Sequence, residues 1–203
     1  MPADDLIALV DWRSRVFDLY HRVRQAPDPH HAWNEWRATR DELFRSHSQS
    51  PLPEGDRSSF QGLAYFDYDP VLRVVARVHG LPPRPYDIQT SGEGTVSFSR
   101  FAGVTFSIGG RELELELYWL EGYGGGVFLP FQDSTSGQET YGGGRYLLDT
   151  VKGADLGSID GRLVLDFNFA YNPSCSYDAQ WICPLSPPEN RLDVRVEAGE
   201  RGR

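Results

Sequence analysis

The segment from Arg111 to Leu120, RELELELYWL, restricts the fold most tightly, because Glu112, Glu114 and Glu116 alternate with Leu113, Leu115 and Leu117. A period of two sends successive side chains to opposite faces of an extended chain, so this segment reads as a strand with one wet and one buried face. Such one-sided strands belong to antiparallel sheets, since strands covered on both faces read as unbroken apolar runs. Gly109 and Gly110, just before it, form the two-residue link of a hairpin.

From Phe60 onward the pattern stays β. FQGLAYFDYD and LRVVARVHG read as strands joined near Asp69 and Pro70, with LPPRPYDI as a rigid or edge-lying connection. TVSFSRF, VTFSI and VFLPF read as further short strands. The preceding region is helical. Ala3 to Gln25 carries Leu6, Leu9, Trp12, Val16, Leu19, Tyr20 and Val23 at a helical period, with Asp4 or Asp5 placed to cap it. Pro27 and Pro29 end that helix and start another over about 30–47, whose stripe is Trp33, Trp36, Leu43 and Phe44.

The expected fold is α+β and mainly β: an antiparallel β-barrel or sandwich with an N-terminal α-helical hairpin covering an open end or edge. Residues 1–203 are expected to form a single domain, with the hairpin at 1–48, a Pro-rich connector at 49–59 and a β-rich body at 60–198. The closing EAGERGR reads as a polar, frayed tail.

At 203 residues the chain is long enough to bury roughly 70% of the surface its unfolded form exposes, so it needs no disulfide scaffold. A net charge of -9 argues against nucleic acid or an anionic membrane as partner, because both require clustered cations. There is no apolar run of the length a bilayer span demands, and MPADDLIALVDWRSR is acidic where a signal peptide is basic, so a cytoplasmic location is expected. No G-x-G-x-x-G or Gly-Lys-Ser/Thr motif links a strand to a helix, and no cofactor is expected. The absence of G-x-S-x-G argues against a hydrolase-type serine. Lys152, the only lysine, lies in a Gly-flanked turn with nothing apolar nearby in sequence to depress its pKa for Schiff-base chemistry.

Chemistry concentrates in two stretches, Phe131 to Leu148 (FQDSTSGQETYGGGRYLL) and Leu163 to Asn190. Strand alternation in LVLDFNFAYN puts Asp166 and Asn168 on one side, either towards a cavity or towards water. Arg145 follows Gly142, Gly143 and Gly144. It either holds an anionic group bidentately at the mouth of the loop or closes the loop by pairing with Asp133 or Asp166. If Asp133 and Asp166 differ in burial they can divide acid and base roles, with Tyr141 as a proton donor. Thr135, Thr140, Asn168, Tyr171 and Asn172 complete a candidate site for a small polar or anionic molecule; the alternative is a non-catalytic or structural protein whose polar cluster is a buried network. Cys175 and Cys183 read as free thiols or a disulfide, and more weakly as half of a zinc site. His47 reads as a structural histidine bonded to the backbone.

The chain also resembles a prokaryotic family known as domain of unknown function 1684. The resemblance is carried by RDELF, the H-x-x-S-P-L of His47 to Leu52, the F-x-G-L-x-Y-F of Phe60 to Phe66, PFQDSTSGQETYGGGRY, DFNFAYNPSCSY, CPLSPPENRL and the AGE of Ala198 to Glu200. Ser174 departs from the pattern where an aromatic residue is frequent. So does the tail at Arg201, where lysine is. The resemblance implies that Asp133, Thr135, Glu139, Thr140, Tyr141, Arg145, Asp166, Asn168, Tyr171, Asn172, Cys175, Cys183, Glu189 and Asn190 form one constellation. It implies no reaction.

Overall fold

A computed structural model describes residues 2–202. Helices α1 (Ala3–Gln25) and α2 (Pro29–Ser46) and a short turn of helix, α3 (Glu54–Arg57), precede the strands. These are β1 (Arg73–Gln89), β2 (Thr95–Ile108), β3 (Arg111–Leu120), β4 (Gly126–Phe131), β5 (Arg145–Asp149), β6 (Ser158–Ile159) and β7 (Arg162–Asp166). The Asp28 side chain starts α2 by accepting from His30 N and His31 N at 2.9 and 3.3 Å, with Pro29 following where no amide is needed. Helix α1 has no side-chain cap. Asp4 and Asp5 sit inside its first turn, where their charge complements the free amides without bonding as a cap.

All strand pairings are antiparallel, in the order β5-β4-β3-β2-β1-β7-β6. In β3 the alternation holds: Leu113, Leu115 and Leu117 are buried while Glu112 and Glu114 are exposed. Glu116 is half-buried because Arg100 donates to it at 3.2 Å and the Tyr118 hydroxyl at 2.9 Å. Gly109 and Gly110 take φ of 57° and 79°, as a two-residue hairpin link requires.

Several expectations are corrected. The sheet does not close into a barrel: edge strand β5 meets the chain leaving β7 through an isolated bridge between Tyr146 and Tyr171, not through a ladder. Residues 60–69 form no strand, only a bridge from Tyr65 to Glu200. LPPRPYDI is no connection but part of β1; a register shift between Gly80 and Arg84 takes up Pro82 and Pro83, where a regular ladder would lack donors. TVSFSRF and VTFSI join as β2, with an irregularity between Arg100 and Ala102. The DFN strand stops at Asp166, whose side chain accepts from Asn168 N at 3.0 Å and opens a 3-10 turn at Phe167–Phe169. Alternation fails there, and every residue from Val164 to Ala170 is buried.

Of the segment read as a frayed tail, Ala198, Gly199 and Glu200 are buried, Glu197 and Arg201 are exposed, and residue 203 lies outside the described residues; the chain just before it is buried in part as well. Leu192, Val196 and Ala198 cover Leu115, Leu117, Leu129, Phe131, Leu147, Leu165 and Phe167 in the largest apolar cluster. A second cluster docks the helical hairpin, with Leu19, Tyr20, Val23, Ala32, Trp33 and Trp36 against Ala154 and Phe169. Trp36 is fully enclosed, 5.2 Å from the Phe169 ring in an edge-on arrangement. Residues 49–59 are more than a connector, since Leu52 is buried between Phe44 and Tyr177. No helix among the described residues is long and apolar enough to cross a membrane.

Candidate functional site

The acid and guanidinium of the Phe131 to Leu148 stretch meet each other, in a fully enclosed network. Arg145 Nη2 donates to Asp133 Oδ1 at 3.2 Å and to Val196 O at 3.1 Å, while Nη1 donates to Ala198 O and, at 3.4 Å, to Glu200 O. Asp133 also accepts from Thr135 N at 3.2 Å, Thr135 Oγ1 at 2.9 Å and Val196 N at 2.7 Å. Thr140 extends the chain through a 3.0 Å contact with Thr135 Oγ1. Burial pulls the Arg145 pKa down, and Asp133 opposes that pull. Gly144 is needed for shape: its φ is 91°, and a Cβ there would lie 2.6 Å from Ser186 Cβ and 2.7 Å from Phe131 O. These residues clamp the 196–200 segment onto the sheet.

Asp166 and Asn168 belong to a different network. Asp166 Oδ1 accepts from Asn168 N and from Asn168 Nδ2, the latter at 2.8 Å. Asn168 also spans Asp69, accepting from its amide at 2.9 Å and donating to its carbonyl at 2.8 Å, and its carbonyl accepts from Trp33 Nε1 at 2.9 Å. Burial raises the Asp166 carboxyl to about 6 against the pull of the Asn168 bonds and Arg73. A hollow of about 50 Å³ adjoins it. Asn190 is a third staple: Glu116 N donates to its Oδ1 at 2.8 Å, and its Nδ2 donates to Glu116 O and Pro130 O at 2.9 and 2.8 Å. Glu139 pairs with Arg195, and Glu189 with Arg84 and Tyr86. The constellation implied by resemblance is therefore distributed over several structural joints.

A larger opening lies where α1 and α2 face the sheet edge, a cleft of about 340 Å³. It is lined by Leu9, Trp12, Arg13 and Val16 of α1 together with Tyr146, Lys152, Tyr171, Asn172, Tyr177, Trp181 and Cys183. Of the residues singled out from sequence as ligand-binding, Tyr171 and Asn172 line it. The apolar stripe of α1 is explained by this cleft: Leu19, Tyr20 and Val23 are buried, whereas Leu9, Trp12 and Val16 stay half-buried.

Arg40 forms part of the floor. Its Nη2 donates to Glu200 Oε2 at 2.7 Å and its Nε to Tyr65 Oη at 3.0 Å, and its guanidinium lies 5.2 Å over Tyr171 and 4.8 Å over Trp36. Glu200, buried, also accepts from the Tyr177 hydroxyl and from Asn172 N at 3.1 Å. Burial raises its pKa and Arg40 opposes the rise. Lys152 pairs with Asp149 at 3.1 Å. Asn172 Oδ1 is buried with no hydrogen-bond donor. The lone lysine carries no motif and Arg40 opens RDELF; only the fold brings the two to this cleft.

His47 is a tether, its Nδ1 accepting from Gln49 N at 3.0 Å and its Nε2 lying 3.0 Å from Asp11 Oδ2. Cys175 and Cys183 are both free, and Tyr141 Oη is 3.6 Å from Cys175 Sγ. The zinc alternative lacks ligands: among the described residues no three of His, Cys, Asp and Glu gather into a metal-binding group.

A family described as "Protein of unknown function (DUF1684)" matches residues 58–201. The chain is also similar to the solution NMR structure of an uncharacterized protein of Haloarcula marismortui, at 39% identity over 81% of this chain and 89% of that one, with a TM-score of 0.59. No curated protein matches it. A family match over most of the sequence, with a homologous structure at that identity, establishes that the chain belongs to the DUF1684 family.

Proposed function

We propose that the cleft between the helical hairpin and the sheet edge binds a small anionic molecule with an apolar body. The observation that carries this reading is the lining: Arg13, Arg40 and Lys152 with no carboxylate, in a chain whose net charge is -9. Trp12, Tyr20, Phe44, Tyr146, Tyr171, Tyr177 and Trp181 supply the remaining walls. Rings of this kind bury large areas at little entropic cost, and the volume falls at the low end of the roughly 300–1,000 Å³ range of small-molecule sites. Arg40 and Lys152 are neutralised by Glu200 and Asp149 behind the wall. Arg13 has no ion-pair partner among the described residues, which leaves it to attract the ligand's charge.

In this reading Tyr171 and Asn172 bind ligand, while Asp133, Thr135, Thr140, Arg145, Asp166 and Asn168 hold the scaffold. No Asp, Glu or His lines the cleft, which favours binding over acid–base turnover. The test is a titration with anilinonaphthalene sulfonate, a fluorescent apolar anion, beside its uncharged analogue N-phenylnaphthylamine. Saturable binding that favours the sulfonate is expected. Arg13→Glu and Trp12→Ala should each weaken it about tenfold, or ~1.4 kcal/mol. Equal affinity for the two probes, or unchanged affinity in both variants, would overturn the reading.

A further inference from the structure

Away from the cleft, a groove of about 480 Å³ lies on the wet face of the sheet, where β3, β2, β1 and β7 run side by side. Nothing in the reading of the cleft uses it. The β1–β7 ladder ends at Ala76 opposite Leu163, so Arg77 and Arg162 are the next residues on the two strands, and both line the groove. Like charges set side by side across a ladder repel each other. In a chain with a net charge of -9 a neighbouring carboxylate would be the usual remedy, yet neither arginine has an ion-pair partner among the described residues. A local rule broken without compensation inside the protein points to compensation from outside it.

The polar groups beside the two arginines are committed to one another. His79 Nε2 lies 3.1 Å from Glu114 Oε1, and its Nδ1 lies 3.5 Å from Thr105 Oγ1. Gly103 makes room for that arrangement, since a Cβ there would lie 2.5 Å from His79 Nε2 and 2.8 Å from Glu114 Oε1. Glycine weakens the middle of a strand; here it lets the imidazole cross β2 and hold Glu114 away from the arginines. The Ser107 hydroxyl donates to Arg111 O at 3.1 Å. The donors left over for a guest are the two guanidiniums. Glu112 also lines the groove, on β3, with β2 between that strand and Arg77.

We propose that this groove binds a small soluble phosphate monoester, with the phosphate held across Arg77 and Arg162. A guanidinium offers paired N–H groups in a rigid fork, so one fork fills the two oxygens of a carboxylate, whereas two forks suit the three terminal oxygens of a phosphate. A phosphate monoester carries a charge of about -1.5 to -2 near neutral pH, which offsets both cations. Glu112 repels a second anionic group, so the ligand is charged at one end and its neutral body lies towards β3. The volume leaves room for a body the size of a sugar. The net charge of -9 opposes an anionic bilayer, which favours a free ester over a lipid headgroup.

The test titrates isotope-labelled full-length protein with glycerol phosphate at low ionic strength, where screening is weak, and follows the backbone amide resonances. Glycerol is the uncharged control, and phosphatidylcholine vesicles with and without phosphatidic acid are the lipid control. Saturable shifts are expected around Arg77, Thr105 and Arg162 with the ester and none with glycerol, and neither kind of vesicle should sediment the protein. Arg77→Gln and Arg162→Gln should each weaken binding about tenfold, through loss of charge-assisted bonds to the phosphate. The position of the shifts is read on the wild type and needs no folded variant. Shifts centred on Tyr171 and Lys152 would assign the phosphate to the cleft and overturn the proposal. So would an equal response to glycerol, unchanged affinity in both variants, or binding to phosphatidic acid vesicles without binding to the ester.

Discussion

Arg145→Ala removes a side chain with no exposed surface and four protein acceptors: Asp133 Oδ1 and the carbonyls of Val196, Ala198 and Glu200. Breaking a buried ion pair by deleting one partner costs about 3–5 kcal/mol, because the other charge is left uncompensated. Asp133 keeps four donors, from Thr135 N, Thr135 Oγ1, Val196 N and, at 3.4 Å, Ser136 Oγ, which pulls the cost towards the lower end. The vacated volume and the three deserted carbonyls push it back, so the net expectation is about 4 kcal/mol. For a chain of this size, with about 2–4 °C per kcal/mol, the midpoint of thermal unfolding should fall by about 8–16 °C. Adding Asp133→Asn removes the stranded charge while leaving an amide oxygen for Thr135 and Val196. The double variant should therefore regain about 1–2 kcal/mol relative to Arg145→Ala alone, a non-additivity readable from urea unfolding in a double-mutant cycle. An Arg145→Ala protein within about 1 kcal/mol of wild type, or strictly additive losses, would refute the account of Arg145 as a clamp.

Asp166 should leave a signature in the pH dependence of stability. Its folded pKa is raised to about 6, above the unfolded value, so the folded state holds the proton more tightly; stability is full below about pH 4 and declines as pH rises to about 6, by at most roughly 3 kcal/mol. Urea unfolding of wild type and Asp166→Asn at pH 4 and pH 6.5 checks this: the wild type should lose stability relative to the variant across that window, and parallel profiles would count against it. Gly144→Ala should cost roughly 1–3 kcal/mol through its positive φ alone, with more from the Ser186 and Phe131 clashes, and denaturant titration should show it.

Where local chemistry decided the conformation, the chain was readable in advance. The LELEL alternation, the Gly109–Gly110 link and the paired prolines between the helices each depend on neighbouring residues alone, and each lies where the pattern put it. Reading faltered where a side chain overrode the backbone pattern. Asp166 looked like one rung of an alternating strand, but its carboxylate caps the Asn168 amide and bends the chain into a 3-10 turn. The prolines of LPPRPYDI argued for a break, yet a register shift lets β1 run through them. Glu200 looked like tail polarity because its partner, Arg40, is far away in sequence.

The candidate site was legible only in fragments. Tyr171 and Asn172 were singled out for their setting among polar residues, and they do face a cleft. Arg145 drew attention through its glycines, which the structure explains by close approach to Ser186 and Phe131. Arg13 and Lys152 gave no signal as cleft residues, and Arg40 was visible only as the first residue of RDELF, since cations on a helix surface or in a turn look the same whether they meet water or line a cavity. One hint was available: a helix stripe that begins at Leu6, well before the buried stretch from Leu19, has apolar surface to spare for something other than the core.

The clamp on residues 196–200 bears on how the protein is made. As the chain leaves the ribosome, the β1 to β5 ladder is complete long before Val196 and Ala198 emerge to cover it. During that interval the nascent sheet presents Leu115, Leu117, Leu129 and Leu147 bare, a natural target for chaperones that hold unfinished chains. Ribosome-bound chains stalled before Leu192 should remain protease-sensitive, and those released after Glu200 should not.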